Sequence, residues 1–202
     1  MAGCPMSLDG EKHAMRKKVA GRRIAQPLLL RRVRSLRVAR RARKLSAVRR
    51  ARVVLAYHPV RGEVDVRPLV RFLMRSGKAV AFPRVAGPGR LVFHRVRSLE
   101  TGFVPGAFGI PEPAPSVVGE VAPEKADLIL VPGVAFSLSG ARIGYGGGYY
   151  DSLLRSCPGP VAVGLAFEFQ VLADLPRGPR DAFMDALVTE KRLLIFGGRD
   201  TT

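Results

Sequence analysis

Leu128-Ile-Leu-Val-Pro-Gly-Val-Ala-Phe-Ser-Leu-Ser-Gly-Ala-Arg142-Ile-Gly144-Tyr-Gly146-Gly147-Gly148-Tyr149-Tyr150-Asp151 is the stretch on which the fold turns. Its first four residues are an apolar run stopped by Pro-Gly, which reads as a buried strand. A glycine-dense loop follows, and a helix start falls at Tyr149. Strand, loop and helix in that order form the repeating unit of an α/β sheet.

Working outward, the same alternation recurs. Val53–Tyr57, Ala79–Phe82, Leu91–His94, Val161–Ala166 and Leu193–Phe196 read as further strands, and Val66–Arg75 and Tyr149–Arg155 as helices. The pattern predicts an α/β fold with a mostly parallel central sheet flanked by helices. The Gly- and Pro-rich segment Thr101–Pro123 reads as an extended ordered loop, and no internal repeat is present. In such sheets ligands bind beyond the carboxyl ends of the strands, which singles out the loops after Tyr57 and Val131.

The remaining N-terminal part is unlike the core in charge. Of 34 Lys and Arg against 16 Asp and Glu, giving a net charge of +18, the stretch Lys12–Gly62 holds 18 basic residues and no acid. The rest of the chain is balanced. Glu11–Arg23 reads as a helix capped by Ser7 or Asp9. Pro27 interrupts, and Leu28, Leu29, Val33, Leu36, Val38, Leu45 and Val48 suggest a second, amphipathic helix whose Arg stems cover apolar surface. At roughly 150 residues per domain, 202 residues make one domain. It divides into a basic helical segment over about 10–50 and an α/β core over about 53–197.

Several classes drop out. The longest uncharged stretch, Leu128–Ala141, is 14 residues and contains Pro132, Gly133 and Gly140, too short and broken to span a bilayer. Cys4 and Cys157 make neither a disulfide framework nor a zinc site, and no secretory core follows Met1, so a reducing cytoplasm is the expectation. An organellar transit peptide is the lesser reading, because Asp9 and Glu11 come early. His13, His58 and His94 lack metal-ligand spacing; His94 reads as a strand residue and His13 as a surface one. Cys157 sits beside Pro158 in a turn, with no partner to mark it as a nucleophile.

The glycine loop admits two readings. Glycines let a backbone approach a ligand, and inward amides at a helix start cradle phosphate; Arg142 could add a charge-assisted contact and Asp151 could hold magnesium. Equally, a glycine cluster can be a crowded turn, and this one fits neither standard phosphate-binding fingerprint. The basic segment likewise allows an alternative function, as an electrostatic footprint for nucleic acid or the ribosome. Tyr57 is its single aromatic, so platforms for stacking bases are missing.

The flanking residues carry a resemblance. PGVAFSLSGARIGYGGGYYD (132–151) resembles the signature of the 5-formyltetrahydrofolate cyclo-ligase (5,10-methenyltetrahydrofolate synthetase) family, PGLAFDxxGxRLGxGxGYYD. Lys12 and Arg16 are similar to its helical KxxxR, and YHPVRGEVD (57–65) to YxPxxxEVD at the end of its first strand. GKAVAFPRV (77–85), FGIPEP (108–113), VGLAFEFQ (163–170) and DAFMDALVTE (181–190) follow in the same order.

The resemblance implies a Rossmann-like fold of the CoA-transferase kind. It implies an ATP- and magnesium-dependent conversion of 5-formyltetrahydrofolate, with or without a polyglutamate tail, into 5,10-methenyltetrahydrofolate, ADP and phosphate through a phosphorylated imidate. Carried over by position, Lys12, Arg16, Arg142, Gly144, Tyr145, Gly146, Gly147, Gly148, Tyr149 and Tyr150 bind ATP. Asp151 and Asp181 serve magnesium. Glu63 faces the pterin, with Tyr150 and His58 lining the folate pocket, and Arg142, Tyr150 and Glu63 are the catalytic set. Taken alone, Glu63 reads as a solvated strand-end residue and Asp181 as a turn or cap. The expected partners are these small molecules, with no nucleic acid and no membrane, and the expected state is a monomer. Three positions depart from the family: Gly147 where Lys is common, Ser137 where Asp is usual, and Arg180 where His often stands.

Overall fold

The computed structural model describes residues 7–116, 119–179 and 181–197; Cys4 and Arg180 lie outside them. Three helices come first: α1 (Leu8–Ile24), α2 (Leu28–Ala42) and α3 (Ser46–Arg50). Then follow β1 (Val53–Leu55), α4 (Arg67–Arg75), β2 (Ala79–Gly87), β3 (Arg90–Val96), β4 (Phe103–Pro105), β5 (Pro111–Pro113), β6 (Glu120–Val121) and β7 (Leu128–Val131). The chain continues through β8 (Ala135–Ser137), β9 (Arg142–Ile143), α5 (Tyr149–Ser156), β10 (Val161–Leu165), β11 (Val171–Leu172), β12 (Ala186–Val188) and β13 (Leu193–Ile195). Among the described residues no helix is long and apolar enough to cross a membrane.

The main sheet runs β13-β12-β10-β7-β1-β2-β3-β6. Its middle, β12 to β2, is parallel, and antiparallel strands complete both edges. The mostly parallel α/β expectation therefore holds. Successive side chains of one strand point to opposite faces, and both faces are covered. Leu128 and Leu130 join Val38, Val48, Leu69 and Leu73 on the side of α2–α4, while Ile129 and Val131 join Leu153 on the side of α5. Leu130 is fully buried. Leu130→Ala should cost about 2–5 kcal/mol in urea denaturation through lost burial and the cavity left behind.

Several boundaries differ from the sequence reading. The expected second helix is two, α2 and α3, separated by a turn at 43–45. Of its apolar residues, Val38, Leu45 and Val48 are buried, but Leu28, Leu29, Val33 and Leu36 face solvent. The packed face of α2 is built from Ser35, Val38, Ala39 and Ala42, small residues that let the helix approach closely, so its leucines fall outside. Leu36→Ala should accordingly change stability by no more than about 0.5 kcal/mol. The segment 101–123 is not a plain loop; it contains the β4–β5 hairpin and the edge strand β6. Strand β12, which the sequence reading missed, is only three residues long. Cys157 is buried at the end of α5, and burial pushes its thiol up, away from reactivity.

Candidate active site

In chain order the five parallel strands stand as second, first, third, fourth and fifth, the doubly wound arrangement whose switch point lies between the first and third. Those are β1 and β7. The loops leaving their carboxyl ends, 56–66 and 132–148, diverge there and wall a cavity of about 590 Å³. A third wall comes from the turn at Ala107–Gly109 and the ends of β2 and β3.

The glycine loop forms one side. Gly146 has φ 106° and Gly148 φ 69°, conformations that favour glycine, and Gly148 is the N-cap of α5. A Cβ on Gly144 would lie 2.5 Å from Arg142 Nη1, so glycine there makes room for that guanidinium. Arg142 is 5% exposed. Its Nη2 donates to Asp151 Oδ1 at 2.8 Å and its Nη1 to the Pro132 carbonyl at 3.2 Å, while its buried Nε makes no hydrogen bond. The buried Tyr150 hydroxyl is also without a partner, and burial pushes this phenol up, so it is a donor at neutral pH. Both residues line the cavity, and each keeps an unmet donor just behind its wall.

Glu63 forms the other side, and its position corrects the sequence reading. It does not end the first strand. β1 stops at Leu55, and Glu63 sits past a turn in which Arg61 and Gly62 both have positive φ. The carboxylate is buried, accepting from the Val60 amide and from the Tyr145 hydroxyl, each at 3.0 Å. Arg23 Nη1 lies 3.9 Å from Oε1. Burial raises the Glu63 pKa against the pull of Arg23 and the two hydrogen bonds. Tyr145, expected on the phosphate side, thus spends its hydroxyl on Glu63. His58 lines the cavity half-buried, edge-on to Phe103, and burial holds its pKa below the usual histidine value.

Helix α1 reaches the glycine loop from outside. Its N-cap Ser7 accepts from the Gly10 amide, and Asp9 and Glu11 in the first turn and Arg22 and Arg23 in the last suit its dipole. Arg16 Nε donates to the Gly144 carbonyl at 2.9 Å. Lys12 is paired with Asp181, whose carboxyl is pushed up by partial burial but held below its ordinary value by hydrogen bonds from Lys12 and the Gly178 amide. Neither Lys12, Arg16 nor Asp181 lines the cavity, whereas Asp151 does. Asp151 Oδ1 also accepts from the Ala182 amide at 3.4 Å, which brings the loop carrying Asp181 up to α5.

The model of the 5-formyltetrahydrofolate cyclo-ligase family matches residues 9–190. The chain belongs to that family. It is similar to the 5-formyltetrahydrofolate cyclo-ligase of Saccharomyces cerevisiae, 32% identical over 151 residues that cover 63% of this chain and 70% of the yeast protein. The cyclo-ligase of Mycolicibacterium smegmatis is 32% identical over 148 residues, covering 70% of this chain and 75% of its own. Among solved structures, the 5,10-methenyltetrahydrofolate synthetase of Aquifex aeolicus superposes with a TM-score of 0.82 at 40% identity, over 93% of this chain and 94% of that one.

Two departures from the cyclo-ligase signature have a local account. Buried Ser137 accepts the Ala141 and Ser139 amides at 3.0 and 3.2 Å, doing with a hydroxyl the turn-capping that a carboxylate would do. A Cβ on Gly147 would lie 2.9 Å from the Tyr149 ring, which in turn meets Phe108 edge-on at 6.1 Å. Glycine at 147 therefore leaves room for the Tyr149 ring, which with Phe108 lines the cavity. Phe108 itself, 70% exposed with φ 57°, was quoted in the family resemblance but not assigned to the site. Buried Glu112 holds that turn by accepting from the Ala107 and Val85 amides. Arg23 was missed outright; nothing separates it from its basic neighbours until its burial is known.

Proposed function

We propose that the protein closes 5-formyltetrahydrofolate to 5,10-methenyltetrahydrofolate with ATP and magnesium, releasing ADP and phosphate. The observation that carries this reading is the single cavity lined on one side by the glycine loop with Arg142 and on the other by Glu63. Phosphoryl transfer depends on positioning and charge stabilisation more than on a side-chain nucleophile. The formyl oxygen attacks the γ-phosphate, ADP leaves, and the resulting imidate is attacked by the folate N10 as phosphate departs.

In this reading the loop amides of 146–149 and the Arg142 guanidinium hold phosphate oxygens, and Tyr150 donates to the same cluster. Each Glu63 oxygen already has one protein donor, leaving one lone pair apiece for the adjacent amino and ring N–H groups of the pterin. Asp151, a carboxylate on the cavity wall, would hold magnesium, an ion that commonly takes one or two carboxylates plus substrate phosphates. Once bound, it would neutralise charge building between the phosphates.

With 5-formyltetrahydrofolate and Mg-ATP, the near-ultraviolet band of the methenyl product should grow, with one phosphate released per turnover. ATP hydrolysis should require the formylfolate, because its oxygen rather than water is the acceptor. An ATPase equally active without folate would overturn the reading.

A further inference from the structure

Arg23 is 0% exposed, the most deeply buried charge on the basic helix. Its Nε donates to the Arg61 carbonyl at 3.0 Å and its Nη1 to the Gly133 carbonyl at 3.1 Å, so it ties together the loops that leave β1 and β7. Its Nη2 donates to the Tyr145 hydroxyl. A guanidinium has no acceptor capacity. The Tyr145 oxygen must therefore accept from Arg23, and its one hydrogen is left to point at Glu63 Oε1, 3.0 Å away. The Tyr145 ring is held between two cations, with the Arg23 and Arg61 guanidinium carbons 5.4 and 5.2 Å from its centroid.

We propose that Arg23 is a positioning residue that, through Tyr145, fixes Glu63 as a carboxylate whose free lone pairs face the folate pocket. The proposal rests on the folate reading of that pocket. Among the described residues, the charged and titratable groups acting on Glu63 include Arg23 from α1, Arg61 from its own loop, Tyr57 after β1, Tyr145 from the glycine loop and Tyr150 from α5. The two arginines favour its charge and the three phenols add none while protonated. Tyr57 is committed elsewhere, donating to the Val64 carbonyl at 3.0 Å. Of the two cations, Arg61 is exposed to water and Arg23 is not, so Arg23 acts through the lower dielectric.

The test reads Glu63 directly. Glutamate labelled with carbon-13 at its side-chain carboxyl gives a resonance that Glu63→Gln identifies by its disappearance, and its pH midpoint can be followed in the unliganded protein. Removing an opposite charge at this distance in Arg23→Met should raise that midpoint by about 1–3 units. Arg23→Lys, which restores charge without the fork, should bring it part of the way back. Tyr145→Phe should raise it less, and it keeps the proposal falsifiable if Arg23→Met does not fold. In the cyclo-ligase assay, the KM for formylfolate should then begin to climb at a higher pH in each variant, with the KM for ATP flat across the same range. A structural role alone would lower melting temperature and leave the midpoint where it was. An unmoved Glu63 midpoint in the folded variants would overturn the assignment whatever the protein catalyses, whereas a moved midpoint without methenyl product from the wild type would overturn only the folate reading.

Discussion

Gly146→Val should give a folded protein that has lost nucleotide binding. The site of substitution has space: a Cβ there would meet nothing nearer than Arg16 at 3.8 Å. The obstacle is the backbone. A φ of 106° is one that a β-branched residue scarcely adopts, and forcing it costs on the order of 1–3 kcal/mol, which the loop will relieve by turning. A turned loop no longer aims its amides at the cavity, and the valine methyls stand where phosphate oxygens need to come close. Circular dichroism establishes that the variant is folded, and calorimetric titration with Mg-ATP reads the affinity. Wild-type affinity would mean that the loop is a crowded turn and the phosphates sit elsewhere. Gly148→Asn is the contrast, because φ 69°, ψ 0° is a left-handed conformation that asparagine tolerates, so binding should survive.

Arg142→Ala and Asp151→Asn should produce separable defects, although the two side chains are bonded to each other. Truncating Arg142 removes a buried cation from the cavity wall and leaves Asp151 without its 2.8 Å partner. Two charge-assisted hydrogen bonds at about 1.5–3 kcal/mol each set the expected loss in kcat/KM at a hundredfold or more, with ATP affinity weakened in the same direction. Asp151→Asn keeps the amide cradle and Arg142, but a neutral oxygen is a poor ligand for a hard cation. That variant should retain nucleotide binding, lose turnover, and regain part of it as magnesium is raised. Titration of both proteins with ATP at several magnesium concentrations separates the two behaviours. If magnesium rescues neither or both alike, the division of labour between cation and carboxylate is wrong.

What could be read from the sequence was whatever is local. The glycine loop, Arg142 and Asp151 lie within ten residues of one another, so their spacing alone keeps them together, and the structure puts them on one cavity wall, Arg142 on β9, the glycines after it and Asp151 on α5. Glu63 came from the family resemblance, and its expected place at a strand end was wrong, because the strand stops early and the chain turns at Arg61 and Gly62. The contact made by the Tyr145 hydroxyl was not legible, for a different reason. Its neighbours in the chain are the loop glycines, and only the three-dimensional approach of Arg23 and Glu63 sets where its hydroxyl goes. Arg23 illustrates the limit most clearly. Among 18 basic residues between Lys12 and Gly62, the one that is fully buried has no distinguishing neighbour in the chain. The exposed leucines of α2 failed the opposite way: apolar residues on a helix are assigned to a core by default, but this helix docks through alanine and serine.

The α1 contacts also set the order in which the protein becomes competent as it leaves the ribosome. Arg16 waits 128 residues for the Gly144 carbonyl, Arg23 waits 122 for Tyr145, and Lys12 waits 169 for Asp181. At translation rates of about 5–20 residues per second, those intervals are on the order of ten seconds. Throughout that time α1 is without these partners, and the two loops that Arg23 later ties together do not yet coexist. The helix is therefore made well before the groups it will hold. A nascent chain arrested before the glycine loop would hold Glu63 and the helix cations, yet lack the Tyr145 hydroxyl and Gly144 carbonyl that they meet in the folded chain.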